Sequence, residues 1–330
     1  MTRKTKLIVL FLLILGVAGG VNLASVVFNS NSVAVEHGVF LVEPGESAST
    51  VIDHLEEQLR LEDAGSLRWY VWLRGWEAAF RPGRYEIEGG LNNRTLARRL
   101  MSGSRETVTV QFRGVRLPED LAGVVSGQIQ ADSAKLTSAL NHENLRHFFI
   151  PNSYEFYWDT SAKGFVKRMQ SEWEKWWTAD RRRLAQDLNL TPQEVHVLAS
   201  IVKAETSKKD EAPTVAGLYL NRLRKDMHLQ ADPTLIYAAG DFSIRRVLDK
   251  HRAIDSPYNT YMHTGLPPAP INYPEPVYLE AVLNAETHSY IFMCAREDFS
   301  GYHNFAKTYR AHQRNAKRYQ RQLNKQRVFR

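Results

Sequence analysis

Residues Thr191–Thr206 read TPQEVHVLASIVKAET. A hydroxyl residue precedes Pro192 and Glu194 follows that hydroxyl by three, the signature of a capped helix start with proline in its first turn. Val195, Leu198, Ile201 and Val202 then recur at helical spacing and form one apolar stripe. The spacing predicts a helix from Pro192 to about Thr206. Trp158 to about Leu188, which carries Trp173, Trp176 and Trp177, also reads as helical, and another helix is expected from about Ala212 to Lys225. Beyond it the chain is rich in turns (Asp232-Pro233, Ser256-Pro257, Gly265-Leu266-Pro267-Pro268) before an apolar strand at Tyr290–Ala295. Loops packed with Tyr, Asn, Thr, His and Pro are where binding sites usually sit.

Toward the N-terminus a strand, a glycine-containing turn and an amphipathic helix recur. Val39–Val42 leads through Pro44-Gly45 into a helix from about Ser49 to Leu59. Arg84–Ile87 leads through Gly89-Gly90 into a helix from about Asn93 to Leu100, with Asn93 as a plausible cap. Thr107–Phe112 alternates in period two, and Gly114 and Pro118 open another helix to about Val125. These are small α+β units, not a parallel-sheet enzyme. Trp69, Trp72 and Trp76 fall at helical spacing within Leu67–Phe80, and such a stripe reads as core before it reads as a sugar-stacking platform.

Arg3, Lys4 and Lys6 are followed by no charge until Glu36, and Leu7 to about Phe28 is long enough to cross a bilayer, which takes about 20 apolar residues. Basic residues before the run and an acidic one after it predict a cytoplasmic N-terminus with the rest outside. The rival is a cleaved signal peptide ending near Ala18–Gly20, but the apolar run continues past those residues. Either way the folded part is exported, which excludes most ATP-dependent chemistry. The lone cysteine, Cys294, forms no intrachain disulfide and reads as a buried strand residue. The net charge of +7 is uneven: Arg310–Arg330 holds eight Lys or Arg and no Asp or Glu, on what reads as a helix from Tyr309 to about Gln326. Such a segment is solvated or drawn to anionic surfaces, and nucleic acid is not expected as a partner of an exported chain.

No GxGxxG, P-loop, HExxH, GxSxG or Cys/His metal spacing is present, so no metal and no nucleotide cofactor is expected. Ser200-Ile201-Val202-Lys203 is an SxxK, and His263-Thr264-Gly265 resembles the KTG of penicillin-binding enzymes. Ser200, however, falls two turns inside its helix, away from the free N–H groups and positive end that would favour an oxyanion. Glu205 follows Ile201 by four and Leu198 by seven, so it continues the apolar stripe, whereas Lys203 points elsewhere. A carboxyl leaning on apolar surface loses hydration, and its pKa rises, as proton donation in glycoside cleavage requires. The other reading is a frayed terminal residue facing solvent. The pattern alone leaves both open.

Leu198–Thr206 (LASIVKAET), Val215–Leu223 (VAGLYLNRL), Leu229–Tyr237 (LQADPTLIY), Ser256–Tyr261 (SPYNTY), Gly265–Pro268 (GLPP) and His303–Phe305 (HNF) together resemble the YceG-like family of endolytic murein transglycosylases, in the family's order. Phe149–Tyr157 (FIPNSYEFY) looks like one variant of its entry motif, and the likeness spans roughly residues 38 to 325.

The resemblance implies an α+β chain: a cytoplasmic tail at 1–6, a single transmembrane helix at 7–28, a small LysM-like α+β region at 38–104 and a mixed α/β catalytic domain at 105–330. It implies attachment to the cytoplasmic membrane through residues 7–28, with the catalytic domain extracytoplasmic. The implied reaction cuts the β-1,4 bond between N-acetylmuramic acid and N-acetylglucosamine in nascent glycan strands of peptidoglycan and leaves 1,6-anhydro-muramic ends, without a cofactor. The family's catalytic glutamate falls on Glu205. Asn221, Arg222, Gln230, Asp232, Thr234, Tyr258, Asn259 and Thr260 follow as residues expected to hold the sugar, and cell-wall synthesis proteins as expected partners. Many relatives have a glutamate where Lys203 stands, so a cation near Glu205 is a departure that could lower its pKa if the two approach. Two other functions remain open: a muramidase using Glu205 and Asp232, and a non-catalytic glycan-binding protein.

Overall fold

The apolar N-terminal run forms α1 (Arg3–Phe28) in the computed structural model, which describes residues 3–29, 31, 38–59, 61–77, 80–103, 107–141 and 143–325. Its Ile8–Phe28 stretch is long and apolar enough to cross a membrane, and none of that span is buried in the protein. The chain divides into two compact units, residues 1–110, 128–130 and 155–160, and residues 111–127, 131–154 and 161–330.

In the first unit, β1 (Gly38–Val42) is followed by α2 (Ala48–Leu59), α3 (Ala64–Leu73), β2 (Gly83–Ile87) and α4 (Asn93–Ser102). The strands pair antiparallel with Phe40 opposite Tyr85. Alternation sends Phe40, Val42, Tyr85 and Ile87 inward, against Val51, Ile52 and Leu55 of α2, Leu67 of α3 and Leu96 and Leu100 of α4. Each such apolar side chain, fully buried, contributes about 1.5–3 kcal/mol. Asn93 donates to the Val26 carbonyl at 2.7 Å and Val27 packs on this core, which ties the end of α1 to the unit.

The three-tryptophan stripe differs from expectation. Arg74 ends α3, Gly75 turns the chain at φ +63°, and Trp76 falls outside the helix. Only Trp76 packs on the core; Trp69 and Trp72 are 40% and 64% exposed.

Next along the chain come β3 (Thr107–Gln111), α5 (Pro118–Ser126), α6 (Ser133–Leu140) and β4 (Ser153–Tyr157), with β3 and β4 paired. The second unit then continues through α7 (Ala162–Trp176), α8 (Ala179–Asp187), α9 (Pro192–Glu205), α10 (Ala212–Leu223), α11 (Asp232–Ala239), α12 (Asp249–Arg252) and α13 (Pro276–Leu283). An antiparallel hairpin of β5 (Phe292–Ala295) and β6 (His303–Ala306) and the basic α14 (Tyr309–Lys325) complete it.

The centre of this unit is α9, which packs against α8, α10, α11 and α13. Its start is the capping box read from the sequence: Thr191 Oγ1 accepts from the Glu194 amide at 3.2 Å, and the Thr191 amide donates to Glu194 at 2.7 Å. Every residue from Val195 to Val202 is buried, more than one apolar stripe would be, because neighbours cover the helix on several sides. Ser200 is sealed there; its hydroxyl donates to the Val197 carbonyl at 2.7 Å and accepts from the Ile271 amide at 3.0 Å. That removes the acyl-serine reading.

The expected helix from Trp158 to Leu188 is two helices. Trp177 leaves helical geometry (φ −80°, ψ 76°) and Thr178 caps α8, while Arg181 and Arg182 donate to the carbonyls of Trp176 and Trp177 freed at the break. Asp232-Pro233 opens α11 and is not a simple turn, and α13, inside the stretch read as turns, buries Leu279 and Val282 in the core.

One close approach sets the cleft described below. A Cβ on Gly217 of α10 would lie 2.3 Å from the Glu286 carbonyl and 2.8 Å from His288 Nε2. Only glycine lets the segment leading into β5 lie flat on this helix. Gly217→Ala is expected to lower the stability of the second unit by about 1–3 kcal/mol, the usual cost of forcing packed backbone apart; a urea-denaturation midpoint equal to that of the wild type contradicts this.

Candidate active site

Glu205 is the last residue of α9, and its side chain does continue the apolar stripe. It opens onto a cleft of about 300 Å3 whose walls come from α10, α11, β5 and β6. The residue keeps partial exposure through the cleft mouth, but its carboxyl is surrounded by protein atoms. Tyr219, buried on α10, donates its hydroxyl to Glu205 Oε1 at 2.7 Å. Burial pushes the Glu205 pKa up to about 7; the negative charge of Asp232 adds to the rise and the Tyr219 hydrogen bond opposes it. Tyr219 in turn is held far above the ordinary phenol range, first by burial and then by the Glu205 charge.

Lys203 does not join this site. Its ammonium donates to Glu275 Oε1 at 2.9 Å and to the Tyr273 carbonyl at 2.8 Å, facing a different pocket. It is not among the groups that shift Glu205, so the cation expected near the carboxyl is neutralised elsewhere.

Of the eight residues expected to hold sugar, Arg222, Gln230 and Asp232 line the cleft with Glu205. Asp232 is the first residue of α11 and accepts from the Tyr261 hydroxyl at 2.6 Å. The Arg222 guanidinium is spread over Gln230 Oε1 (2.7 Å), the His228 carbonyl (2.8 Å) and the Ile291 carbonyl (2.7 Å). It thereby fixes β5 beside the cleft, and Gln230 holds its position with φ +53°. The other five lie off the cleft lining. Asn221 donates to the His288 and Tyr290 carbonyls at 2.8 and 3.1 Å, finishing what Gly217 begins. Thr234 and Thr260 bond each other at 2.8 Å, and Asn259, fully buried, holds the Arg252 and Ile254 carbonyls. Tyr258 packs its ring on Tyr237, 4.7 Å between centroids.

Three cleft residues were given no role from the sequence: Tyr219, Tyr261 and His303. Tyr219 could have been found, since it precedes Arg222 by three and shares its helix face. His303 is held by Glu211, whose two oxygens take the His303 amide at 2.7 Å and its Nδ1 at 2.8 Å. Glu211 is buried and also accepts from Thr206, the residue after Glu205. Cys294 sits on β5 at the cleft wall, half-buried, and burial raises its thiol pKa. Among the described residues, no group of three His, Cys, Asp or Glu is arranged to hold a metal ion.

A cleft with one desolvated carboxyl, a hydroxyl bonded to it and a second carboxyl nearby is equipped for proton transfer to a neutral oxygen. Comparison with known proteins agrees with the motif order. The YceG-like family model matches residues 40–318, and the chain belongs to that family. It is 26% identical over 309 residues to the endolytic murein transglycosylase of Bacillus subtilis (strain 168), covering 84% of this chain and 83% of that one. It is 28% identical over 155 residues to the protein of that name from Streptococcus pneumoniae (strain D39), covering 46% of this chain and 28% of that one. The crystal structure of a YceG-like protein from Listeria monocytogenes shares the fold, with a TM-score of 0.56 at 22% identity over 84% of this chain and 98% of that one.

The raised pKa has a consequence for stability. Folded Glu205 binds its proton up to about pH 7, whereas an unperturbed glutamate releases it near 4.5. Stability is therefore full below about pH 4.5 and is lost as the pH rises through 7. Glu205→Gln removes that loss. The variant should match wild type in stability below about pH 4.5 and exceed it by about 1–3 kcal/mol at pH 8, given about 1.36 kcal/mol per pKa unit. Denaturation curves that differ equally at both pH values contradict this.

Proposed function

We propose that this chain is a membrane-anchored lytic transglycosylase. It cleaves the β-1,4 bond between N-acetylmuramic acid and N-acetylglucosamine inside nascent glycan strands and leaves 1,6-anhydro-muramic acid ends. The observation that supports this most is the Glu205 carboxyl, desolvated at the cleft with its pKa pushed up to about 7.

In this reading, protonated Glu205 donates to the glycosidic oxygen as the C1–O bond breaks and positive charge builds on the muramic ring. Electron demand at C1 is met by the sugar's own 6-hydroxyl oxygen, which closes the 1,6-anhydro ring. The Glu205 carboxylate then takes the hydroxyl proton and is ready for another cycle. No water enters the products. Tyr219 keeps the carboxyl oriented through both transfers. Arg222, Gln230 and Asp232 line the space for the sugar, and Asn221, Thr234, Tyr258, Asn259 and Thr260 support the loops around it.

Asp232 on the same cleft favours a second reading, a muramidase in which it activates water. Two carboxyls are needed for hydrolysis and one for anhydro formation.

The remaining features fit the first reading. α1 serves as a single-pass anchor with residues 1–6 in the cytoplasm, as the basic residues before it direct. The strand–helix–helix–strand order of β1, α2, α3 and β2 supports a LysM-like glycan-binding role for residues 38–104, ahead of a catalytic region at 105–330. Cell-wall synthesis proteins working on the same nascent strands are the partners such an enzyme would meet.

Mass spectrometry of digested glycan tests the central point. The wild type should release anhydro ends, one water lighter than reducing ends, and Glu205→Gln should release none above background. Reducing ends alone would establish the muramidase, and undiminished digestion by the variant removes Glu205 from the mechanism.

The pH profile tests the electrostatics. Donation needs protonated Glu205, so kcat/KM should be level below and fall above about pH 7. Tyr219→Phe removes a bond that lowers the Glu205 pKa and should move this limb to higher pH. Asp232→Asn removes a charge that raises it and should move the limb to lower pH. Shifts in the same direction contradict the assignment.

A further inference from the structure

A second pocket of about 280 Å3 in the same unit is lined by the chain neighbours of the catalytic cleft residues. Glu205 and Asp232 face the first cleft, whereas Ala204 and Pro233 face this one. The two hollows therefore lie on either side of one ridge, made by the end of α9 and the start of α11. A polymer crossing that ridge would have a sugar in each hollow and the bond between them beside Glu205.

The lining of the second pocket is specific. Asn272 is 8% exposed; its Nδ2 donates to the Ser200 carbonyl at 2.7 Å, while its Oδ1 is buried with no hydrogen-bond partner among the described residues. A buried acceptor without a donor costs about 1–3 kcal/mol, so such a group points to a ligand that supplies an N–H or O–H. Ile236, Ile271 and Pro233 give apolar surface. Tyr237 and Phe242 add two rings, 6.4 Å between centroids, and the Arg116 guanidinium lies over Phe242 at 4.4 Å. Arg116 is exposed at the pocket, just beyond Gly114, whose φ of +68° turns the chain there. Lys203 also borders the pocket, but its ammonium is already paired with Glu275.

We propose that this pocket is the second sugar subsite, built for an N-acetylated hexosamine on the far side of the ridge from the Glu205 cleft. The acetamido N–H is the donor that Asn272 Oδ1 lacks. The acetyl methyl matches the isoleucine and proline surface, and Phe242 and Tyr237 face the apolar side of the sugar ring. Arg116 stands where a carboxylate carried by a substituent of the sugar would be met. This rests on the glycan-cleaving reading above and adds to it: a site with room on both sides of the reacting bond accepts the interior of a strand and needs no chain end.

The test uses the full chain in detergent micelles and N-acetylglucosamine tetramer as the probe. On saturation, the side-chain amide resonance of Asn272 should shift. Phe242→Ala should weaken tetramer binding about tenfold, as loss of a sugar-facing ring does. The tetramer with its acetyl groups removed should leave the Asn272 resonance in place. An unmoved Asn272 resonance under saturating acetylated tetramer overturns the proposal even if Phe242→Ala fails to fold. So does unchanged affinity in a folded Phe242→Ala protein. Failure of the enzymatic reading would appear separately, as wild-type protein that binds tetramer through Asn272 but releases no anhydro ends from glycan.

Discussion

Withdrawing the Glu205 carboxyl from water is costly for its charged form and nearly free for its neutral form, and the surrounding structure is arranged around that asymmetry. α9 places the side chain at the end of a helix buried from Val195 to Val202, so the carboxyl inherits the dry surroundings of the core. One hydroxyl, from Tyr219, bonds it, which keeps it oriented while only partly offsetting the loss of hydration. A stronger partner, such as an ammonium, would have held the proton off. The nearest cation on the same helix, Lys203, is instead bound to Glu275 and the Tyr273 carbonyl.

The rest of the second unit keeps the opposite wall of the cleft in place. Gly217 allows the segment before β5 to lie on α10, Asn221 bonds its carbonyls, and Arg222 reaches the Ile291 carbonyl at its end. These three residues on two turns of one helix fix β5 across from Glu205. On the far strand, Glu211 holds His303 and also bonds Thr206, so both strands of the hairpin are tied to the ends of the helices that carry the site. The polar residues of the motifs thus divide into a few that meet the cleft and several that hold its frame.

Much of this was legible before any coordinates. The capping box at Thr191–Glu194 and the proline after it set the start of α9, and the apolar spacing set the direction of Glu205. Local signals of this kind act within one or two turns, which is why they read well. The splitting of α7 from α8 and the end of α3 at Leu73 did not, because Trp177 and Gly75 leave the helix for tertiary reasons that helical spacing does not carry. α13 was hidden in a stretch with strong turn residues on both sides. At the site, Glu205 continued a visible stripe, but the partners that matter to it arrive from other elements. Tyr219, Asp232 and His303 lie far apart in sequence, and no periodicity joins them. The same limit explains why Asn221, Thr234, Asn259 and Thr260 were expected on the sugar: in a motif, a polar side chain that bonds backbone looks the same as one that bonds ligand.

The central claim is that the fold itself, before any substrate arrives, keeps Glu205 protonated near neutral pH. Its most direct test is a carbon-13 NMR titration of the glutamate side-chain carboxyls, with the Glu205 resonance identified by its disappearance in Glu205→Gln. The account predicts a midpoint of about 7 for that resonance. A midpoint near 4.5, the ordinary glutamate value, would contradict it.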